Sequence, residues 1–287
     1  MKKIPVRHIA ATQNKPVADG QFTIRAVKDL LGGKDLVHEL HRHDFFFILV
    51  LQKGAGVHEI DFTKYKVGDH TVFMLRPGQV HKLELKAGSE GFLMEFSPAF
   101  YYPNDKQSSQ RLKRATNKNF CRLETVRFKK IFSSLAYIYD EFIAKQEGYA
   151  EIIKANLDIF FIEFTRQGKN STVASKNNST YAQERLEDLL ALLNTHLTNC
   201  KQASQYAELM NLSTYQLNAI TRSTVNRSAS ELINEQIILE AKRHLLATSN
   251  QIKDIADQLG YEDISYFIRF FKKHTGYSPE VFRKNSQ

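Results

Sequence analysis

The chain has almost no cysteine, no long apolar run and no basic surplus in its last third. Cys121 and Cys200 are its only cysteines, too few for a disulfide framework and in keeping with a reducing cytoplasm. The longest apolar run, Phe45 to Leu51, is far too short to cross a bilayer, so no membrane partner is expected. Lys2 and Lys3 lead into no apolar stretch, so no secretory leader is expected either. The net charge of +9 is unevenly placed: residues 181–287 hold 12 Lys and Arg against 12 Asp and Glu, so the whole surplus lies upstream. Its densest part, Arg111, Lys113, Arg114, Lys118, Arg122, Arg127, Lys129 and Lys130 against Glu124 alone, reads as a solvated loop and helix face. With 287 residues the chain is long enough for two domains, each with its own core.

The strongest pattern present is a helix-turn-helix unit written twice. In the second copy, Ile252 to Lys273, the small Ala256 allows two helices to cross closely. Gly260 supplies a left-handed residue to end the first helix. Phe267, Phe270 and Phe271 put one face of the second helix into a core, with Tyr266 also expected there. Ile264, Ser265, Ile268 and Arg269 are left to face a partner, which for this motif is the major groove of DNA. About 49 residues upstream, Ala207 matches Ala256 and Asn211, which tolerates a left-handed turn, matches Gly260. Leu217 and Ile220 match Phe267 and Phe270 with one residue of slippage. Between the copies, Ser228-Ala229-Ser230-Glu231 has capping-box spacing, and Leu232, Ile233, Ile237, Ala241, Leu245 and Leu246 continue a helix to Ala247. Such a helix of about 20 residues spans roughly 30 Å, close to the ~34 Å turn of duplex DNA, so it could set two recognition helices in adjacent grooves.

Asp263 to Pro279, with Glu240-Ala241-Lys242-Arg243 and Tyr206 to Ser213, resembles the signature of the AraC family of bacterial transcription regulators. The resemblance covers about 100 residues and implies binding to double-stranded promoter DNA. It departs locally, with Asn226 where the family usually carries Gly and Ala219 where many members carry a longer polar residue. Candidate DNA contacts in the first unit are Ser213, Tyr215, Gln216, Asn218, Ala219 and Arg222; in the second they are Ile264, Ser265, Ile268, Arg269, Lys272 and Lys273. Arg269 suits guanine O6 and N7, Asn218 suits adenine and Ile264 a thymine methyl. Ser213, Lys272 and Lys273 suit phosphates, which position rather than specify. Because the region is electrically neutral, this reading rests on a local cluster: Arg269, Lys272, Lys273 and His274, with Arg283 and Lys284 beyond.

Residues 1–100 are strand-like, punctuated by Lys53-Gly54-Ala55-Gly56, Val67-Gly68-Asp69 and Arg76-Pro77-Gly78. His41-Arg42-His43, Gly54, Gly68-Asp69 and Pro77-Gly78-Gln79-Val80-His81 resemble the two motifs of the cupin barrel. That resemblance implies histidines converging on a metal, completed by a carboxylate a few residues after the second. Here those positions hold Asp44, which would point to the opposite strand face, then Phe45, Phe46, Phe47 and Ile48. The ligand set is incomplete, so neither metal nor cofactor is expected, and no catalytic residue. A small-molecule effector pocket lined by His41, His43, Phe45, Phe47, Met74 and His81 is expected instead. His58 and His70 are expected at the surface or at strand ends. The alternative is a metal-dependent cupin enzyme, an oxygenase or isomerase with a helical appendage, and the missing carboxylate weighs against it.

Residues 98–122 look irregular. Phe128, Ile131, Phe132, Leu135, Ile138, Tyr139 and Phe142 then keep helical spacing, as do Tyr149, Ile152, Ile153, Leu157, Phe160, Phe161 and Phe164. In AraC-type regulators such helices dimerise, which implies a homodimer through residues 124–166; an activator would also contact RNA polymerase. Residues 168–180 are small and polar, as a flexible linker would be. The expected fold is therefore α+β in two domains: a cupin-like β-barrel (about 1–100) with amphipathic helices (about 124–166) in residues 1–167, and an all-α tandem helix-turn-helix domain in residues 181–287.

Overall fold

The computed structural model describes residues 5–9, 21–101, 106–166 and 178–285, so most of the polar stretch read as a linker, residues 168–177, lies outside them. The described residues form two compact units, 5–166 and 178–285.

The first unit contains two five-stranded sheets. One has the order β1 (Val6–Arg7), β3 (Leu36–His43), β8 (Val80–Leu85), β5 (Gly56–Ile60), β6 (Thr63–Val67). The other has the order β10 (Phe120–Arg122), β7 (Thr71–Leu75), β4 (Phe46–Lys53), β9 (Glu90–Phe96), β2 (Phe22–Ala26). All pairings are antiparallel except that of β1 with β3. A short helix α1 (Val27–Leu31) follows β2. The apolar run at Phe46–Leu51 is β4, which is buried on both faces and so cannot alternate with polar residues. Phe47, Leu49 and Leu51 point between the sheets with Phe73, Leu75, Leu83 and Leu85. Ile48 and Val50 point the other way, into a second core shared with α3 (Thr125–Ala144) and α4 (Tyr149–Thr165). Phe128, Ile131, Leu135 and Ile138 of α3 and Ile153, Leu157, Phe160 and Phe161 of α4 fill that second core.

The stretch 98–122, expected to be irregular, contains helix α2 (Lys106–Thr116) and strand β10. The helix buries Ser108, Leu112, Ala115 and Thr116, a stripe with one large apolar residue, which is why hydrophobic periodicity does not reveal it.

The second unit is all helical: α5 (Asn178–His196), α6 (Ala203–Leu209), α7 (Thr214–Val225), α8 (Ala229–Ala247), α9 (Ile252–Gln258), α10 (Ile264–Thr275) and α11 (Pro279–Asn285). The repeat runs deeper than the apolar pattern. Gln202 with Gln205 and Gln251 with Asp254 form capping boxes at the starts of α6 and α9, 49 positions apart. Leu212 and Tyr261 donate their backbone N–H groups to the Ala207 and Ala256 carbonyls, at 2.8 and 2.9 Å. The helix caps Ser213 and Asp263, and the left-handed residues Asn226 and Gly276, lie 50 apart. The one-residue slippage therefore sits in the turn before the recognition helix. The expected Ser228–Glu231 box is present: Ser228 Oγ accepts from Glu231 N at 3.3 Å, and Glu231 Oε2 accepts from Ser228 N at 2.7 Å.

Ala207, Ala256, Leu217, Ile220, Phe267 and Phe271 are buried as expected, and Phe270 is half-buried against that core. Tyr266 is not a core residue: it is 54% exposed, because its neighbour Phe267 occupies the inward position and a helix turns about 100° per residue.

Asn211 and Gly260 both have positive φ, 54° and 75°, but only Gly260 is also pressed against another segment. A Cβ there would lie 2.0 Å from the Thr198 carbonyl oxygen. Lys201 Nζ donates to the carbonyls of Leu197, Thr198 and Leu259, clamping the same junction. Gly260→Ala should therefore destabilise the protein by at least about 2 kcal/mol, through both strain and collision. Asn211→Gly should change stability by less than about 1 kcal/mol. Thermal and urea unfolding of the full chain checks both values, and near-equal effects would contradict the distinction.

Candidate nucleic-acid interface and buried histidine cluster

Helix α10 starts at Asp263, whose Oδ1 accepts from the N–H groups of Ser265 (2.7 Å) and Tyr266 (3.2 Å). This cap sets the rotation of the helix: Phe267 and Phe271 face the core, while Ser265, Arg269, Lys272 and Lys273 are exposed. Ile264 and Ile268 lie half-buried between the two sides. Arg269 Nη2 is 3.8 Å from Asp263 Oδ2, an exposed pair too loose to hold the guanidinium from another partner.

Helix α7 begins with a second capping box: Ser213 Oγ accepts from Gln216 N at 3.1 Å and Gln216 Oε1 accepts from Ser213 N at 2.8 Å. Tyr215 is 84% exposed, and Gln216, Ala219 and Arg222 are also exposed. Asn218 differs from its expected role. Its Nδ2 donates to Thr214 O at 3.0 Å and its Oδ1 accepts from Ala229 N at 3.0 Å, so the amide ties α7 to the start of α8 rather than facing outward as an adenine reader. Arg283 is likewise engaged: Nε donates to Leu245 O and Nη2 to Asn250 O, closing the end of α8.

In the other unit, His41, His43 and His81 converge as expected. A bulge in β3 shifts the register between His38 and His41, so His38, His41 and His43 share one face, and His41 pairs with His81 across β8. The three Nε2 atoms form a triangle with edges of 3.0, 3.1 and 2.9 Å. His41 Nδ1 donates to the Glu39 carbonyl at 2.6 Å. Phe45 and Phe47 stack beside His43, with ring centroids 4.4 and 5.3 Å away.

His58 belongs to this group, contrary to its expected surface position: it is fully buried, with Nε2 2.8 Å from His81 Nδ1. Alternation with Ile60, buried on the same face of β5, was the available signal. His70 fits the strand-end expectation, in the turn before β7, stacked on Phe128. Met74 does not line this site, because inward Phe73 and Leu75 on either side turn it into the core shared with α3 and α4. Burial pushes the imidazoles down, His41 to about 4, His58 to about 3, His43 to about 2 and His81 well below its ordinary value; neighbouring histidines add to this at His43, His58 and His81, Arg7 adds to it at His41 and His43, and the hydrogen bond to the Glu39 carbonyl opposes it at His41. All four are neutral near pH 7 and carry ring lone pairs.

A family model described as the AraC-like ligand binding domain matches residues 32–157, and one described as a helix-turn-helix domain matches residues 206–285. The HTH-type transcriptional activator RhaS of Klebsiella pneumoniae is 24% identical over 255 residues, covering 85% of this chain and 87% of that protein. The HTH-type transcriptional regulator YfiF of Bacillus subtilis is 22% identical over 257 residues, covering 85% and 78%. Among solved structures, ToxT from Vibrio cholerae bound to an unsaturated fatty acid is similar at 16% identity, with a TM-score of 0.41, covering 94% of this chain and 97% of that one. The two matched segments contain the histidine-bearing barrel and both capped recognition helices, and the chain belongs to the AraC family of transcription regulators, joining a ligand-binding domain to a helix-turn-helix DNA-binding domain.

Proposed function

We propose that α10 is the principal reading helix for promoter DNA, that α7 is the second, and that an effector held in the barrel controls them. The observation that carries this reading is the division of α10 into a buried aromatic stripe and an exposed face bearing Arg269, Lys272 and Lys273. The domain has no net positive charge, so attraction to phosphates comes from this face. Helix α7 contributes Tyr215, Gln216 and Arg222, while Ser213 caps its start and Asn218 ties it to the start of α8. Pairing of two chains through α3 and α4 is supported by Val126, Tyr137, Ile143 and Ile159, large apolar residues exposed on those helices. Contact with RNA polymerase completes the reading for an activator, and no described residue singles that contact out. No catalytic step is part of this function. Among the described residues no helix is long and apolar enough to cross a membrane.

Selection from a random DNA pool by the full-length protein should enrich two short elements about one helical turn apart. Enrichment of a single element would show that α7 only holds the backbone, and no enrichment with or without candidate effectors would overturn the reading. On the selected site, Arg269→Ala should weaken binding by roughly 1–3 kcal/mol and relax preference at one base pair. Wild-type affinity and footprint would reject that role. Lys272→Ala should lower affinity on every sequence and reduce the salt slope by about one unit; a loss confined to one sequence would refute a phosphate contact. Asn218→Ala should cost about 1 kcal/mol of stability and leave the selected sequence unchanged, so a changed preference at one position would restore it as a base reader.

A further inference from the structure

The histidine triangle has a property that its individual contacts hide. A hydrogen bond needs a donor nitrogen at one end and a lone pair at the other. Three corners cannot alternate donor and acceptor, so no choice of tautomers bonds all three edges. The His41 corner has no hydrogen to offer, since its Nδ1–H is committed to the Glu39 carbonyl. At best two hydrogens converge on His41 and crowd each other; otherwise two lone pairs face across about 3 Å. Buried polar atoms left in such conflict are costly. His43 Nδ1 and His58 Nδ1, buried without a hydrogen-bond partner, lie outside the triangle and are no part of this conflict.

A cation resolves the conflict at once, because it accepts all three lone pairs. The dimensions fit one geometry. Imidazole-to-metal bonds of about 2.1 Å at right angles place nitrogens about 3.0 Å apart, whereas tetrahedral angles would need about 3.4 Å. The observed edges of 2.9–3.1 Å match three adjacent positions of an octahedron. His58 sits where the outer partner of a metal-bound histidine belongs, 2.8 Å from His81 Nδ1, and can accept its hydrogen so that Nε2 keeps its lone pair. Among the described residues these three are the only His, Cys, Asp or Glu side chains grouped closely enough to share an ion.

We propose that the barrel binds one divalent first-row transition-metal ion through Nε2 of His41, His43 and His81, with His58 positioning His81, and that this ion is the regulatory ligand or part of it. This replaces the metal-free pocket expected from the missing carboxylate. Three neutral imidazoles suit Fe, Co, Ni or Zn rather than Mg or Ca. They leave three coordination positions open, and with Arg7 acting on His41 and His43 the added charge favours an anionic oxygen donor there. The inference deepens the proposed function, and its metal site can be tested without DNA.

The experiment uses full-length protein stripped with a chelator and titrated separately with Co(II), Ni(II) and Zn(II), with bound metal measured by calorimetry and elemental analysis. One ion should bind per chain, and Co(II) should give weak visible bands of a five- or six-coordinate site. X-ray absorption should show three imidazole nitrogens, an assignment that depends on no variant. The double substitution His41→Gln with His81→Gln should abolish binding, with folding checked by circular dichroism, while His70→Gln should retain it. Absence of saturable binding by all three ions would overturn the site, as would full binding by a folded double variant. The ion should also change affinity for the selected DNA at least about fivefold; tight binding with unchanged DNA affinity would overturn its regulatory role. Failure to bind DNA in every metal state would count against the proposed function and leave the metal site standing.

Discussion

A β-strand must send successive side chains to opposite faces, and the first unit is built on that constraint at β4. Phe47, Leu49 and Leu51 belong to the space between the sheets, and Ile48 and Val50 to the layer of helices. A one-residue slip would exchange the two sets and destroy both cores. The same alternation decides what reaches the histidines. Phe45 and Phe47 pack on His43, while Met74, between two inward residues of β7, is turned away. The chain departs from regular alternation at the bulge in β3, beside the site, where the extra residue brings His38 onto the face of His41. A regular strand would have kept those two on opposite faces.

The second unit solves one packing problem twice, with different tolerances. In each copy a short helix ends in a left-handed residue, and an alanine lets the next helix pass close. At Gly260 the chain also lies against the Thr198 carbonyl, and the Lys201 ammonium binds three carbonyls around the junction. At Asn211 the left-handed backbone is the same, but no such contact bars a side chain, so asparagine serves. The extra residue in the second turn, Glu262 before Asp263, changes how the recognition helix begins. Asp263 caps two N–H groups through one carboxylate oxygen, and Ser213 works through a reciprocal box with Gln216.

The repeated helix-turn-helix pattern made α6, α7, α9 and α10 legible, and apolar periodicity made α8 and both long helices of the first unit legible, whereas α5 was not read from the sequence. The capping spacing at Ser228 gave the start of α8, and left-handed Asn211 and Gly260 stand where turns were expected. Three features were hidden for physical reasons. Helix α2 buries mainly small and polar side chains and leaves little periodic signal. Tyr266 looked like core because the aromatic cluster around it is core, but only Phe267 and Phe271 hold the inward positions. Asn218 has the chemistry of a base reader, and only the arrangement of α7 against α8 shows its amide bonded to Ala229 N. The pair His41 and His43 could be read from spacing of two, and His81 from its motif. His58 could not be joined to them, since its link runs through the pairing of β5 with β8, which no local pattern encodes.

The two units suit a regulator for complementary reasons. The DNA-binding half is neutral overall, which keeps long-range, sequence-independent attraction to nucleic acid low and, in the proposed reading, leaves discrimination to a few groups on α10 and α7. A surface of that kind responds strongly to small changes in how it is presented, because little non-specific affinity masks the difference. The barrel half carries buried neutral histidines whose lone pairs cannot all be satisfied by one another. That unresolved polarity is a local free-energy cost in the absence of a ligand, and a ligand that removes it stabilises whichever arrangement holds the triangle intact. An effector shifts an equilibrium only through differential affinity, and a site whose donors are in conflict until filled supplies that difference from the chemistry of three side chains.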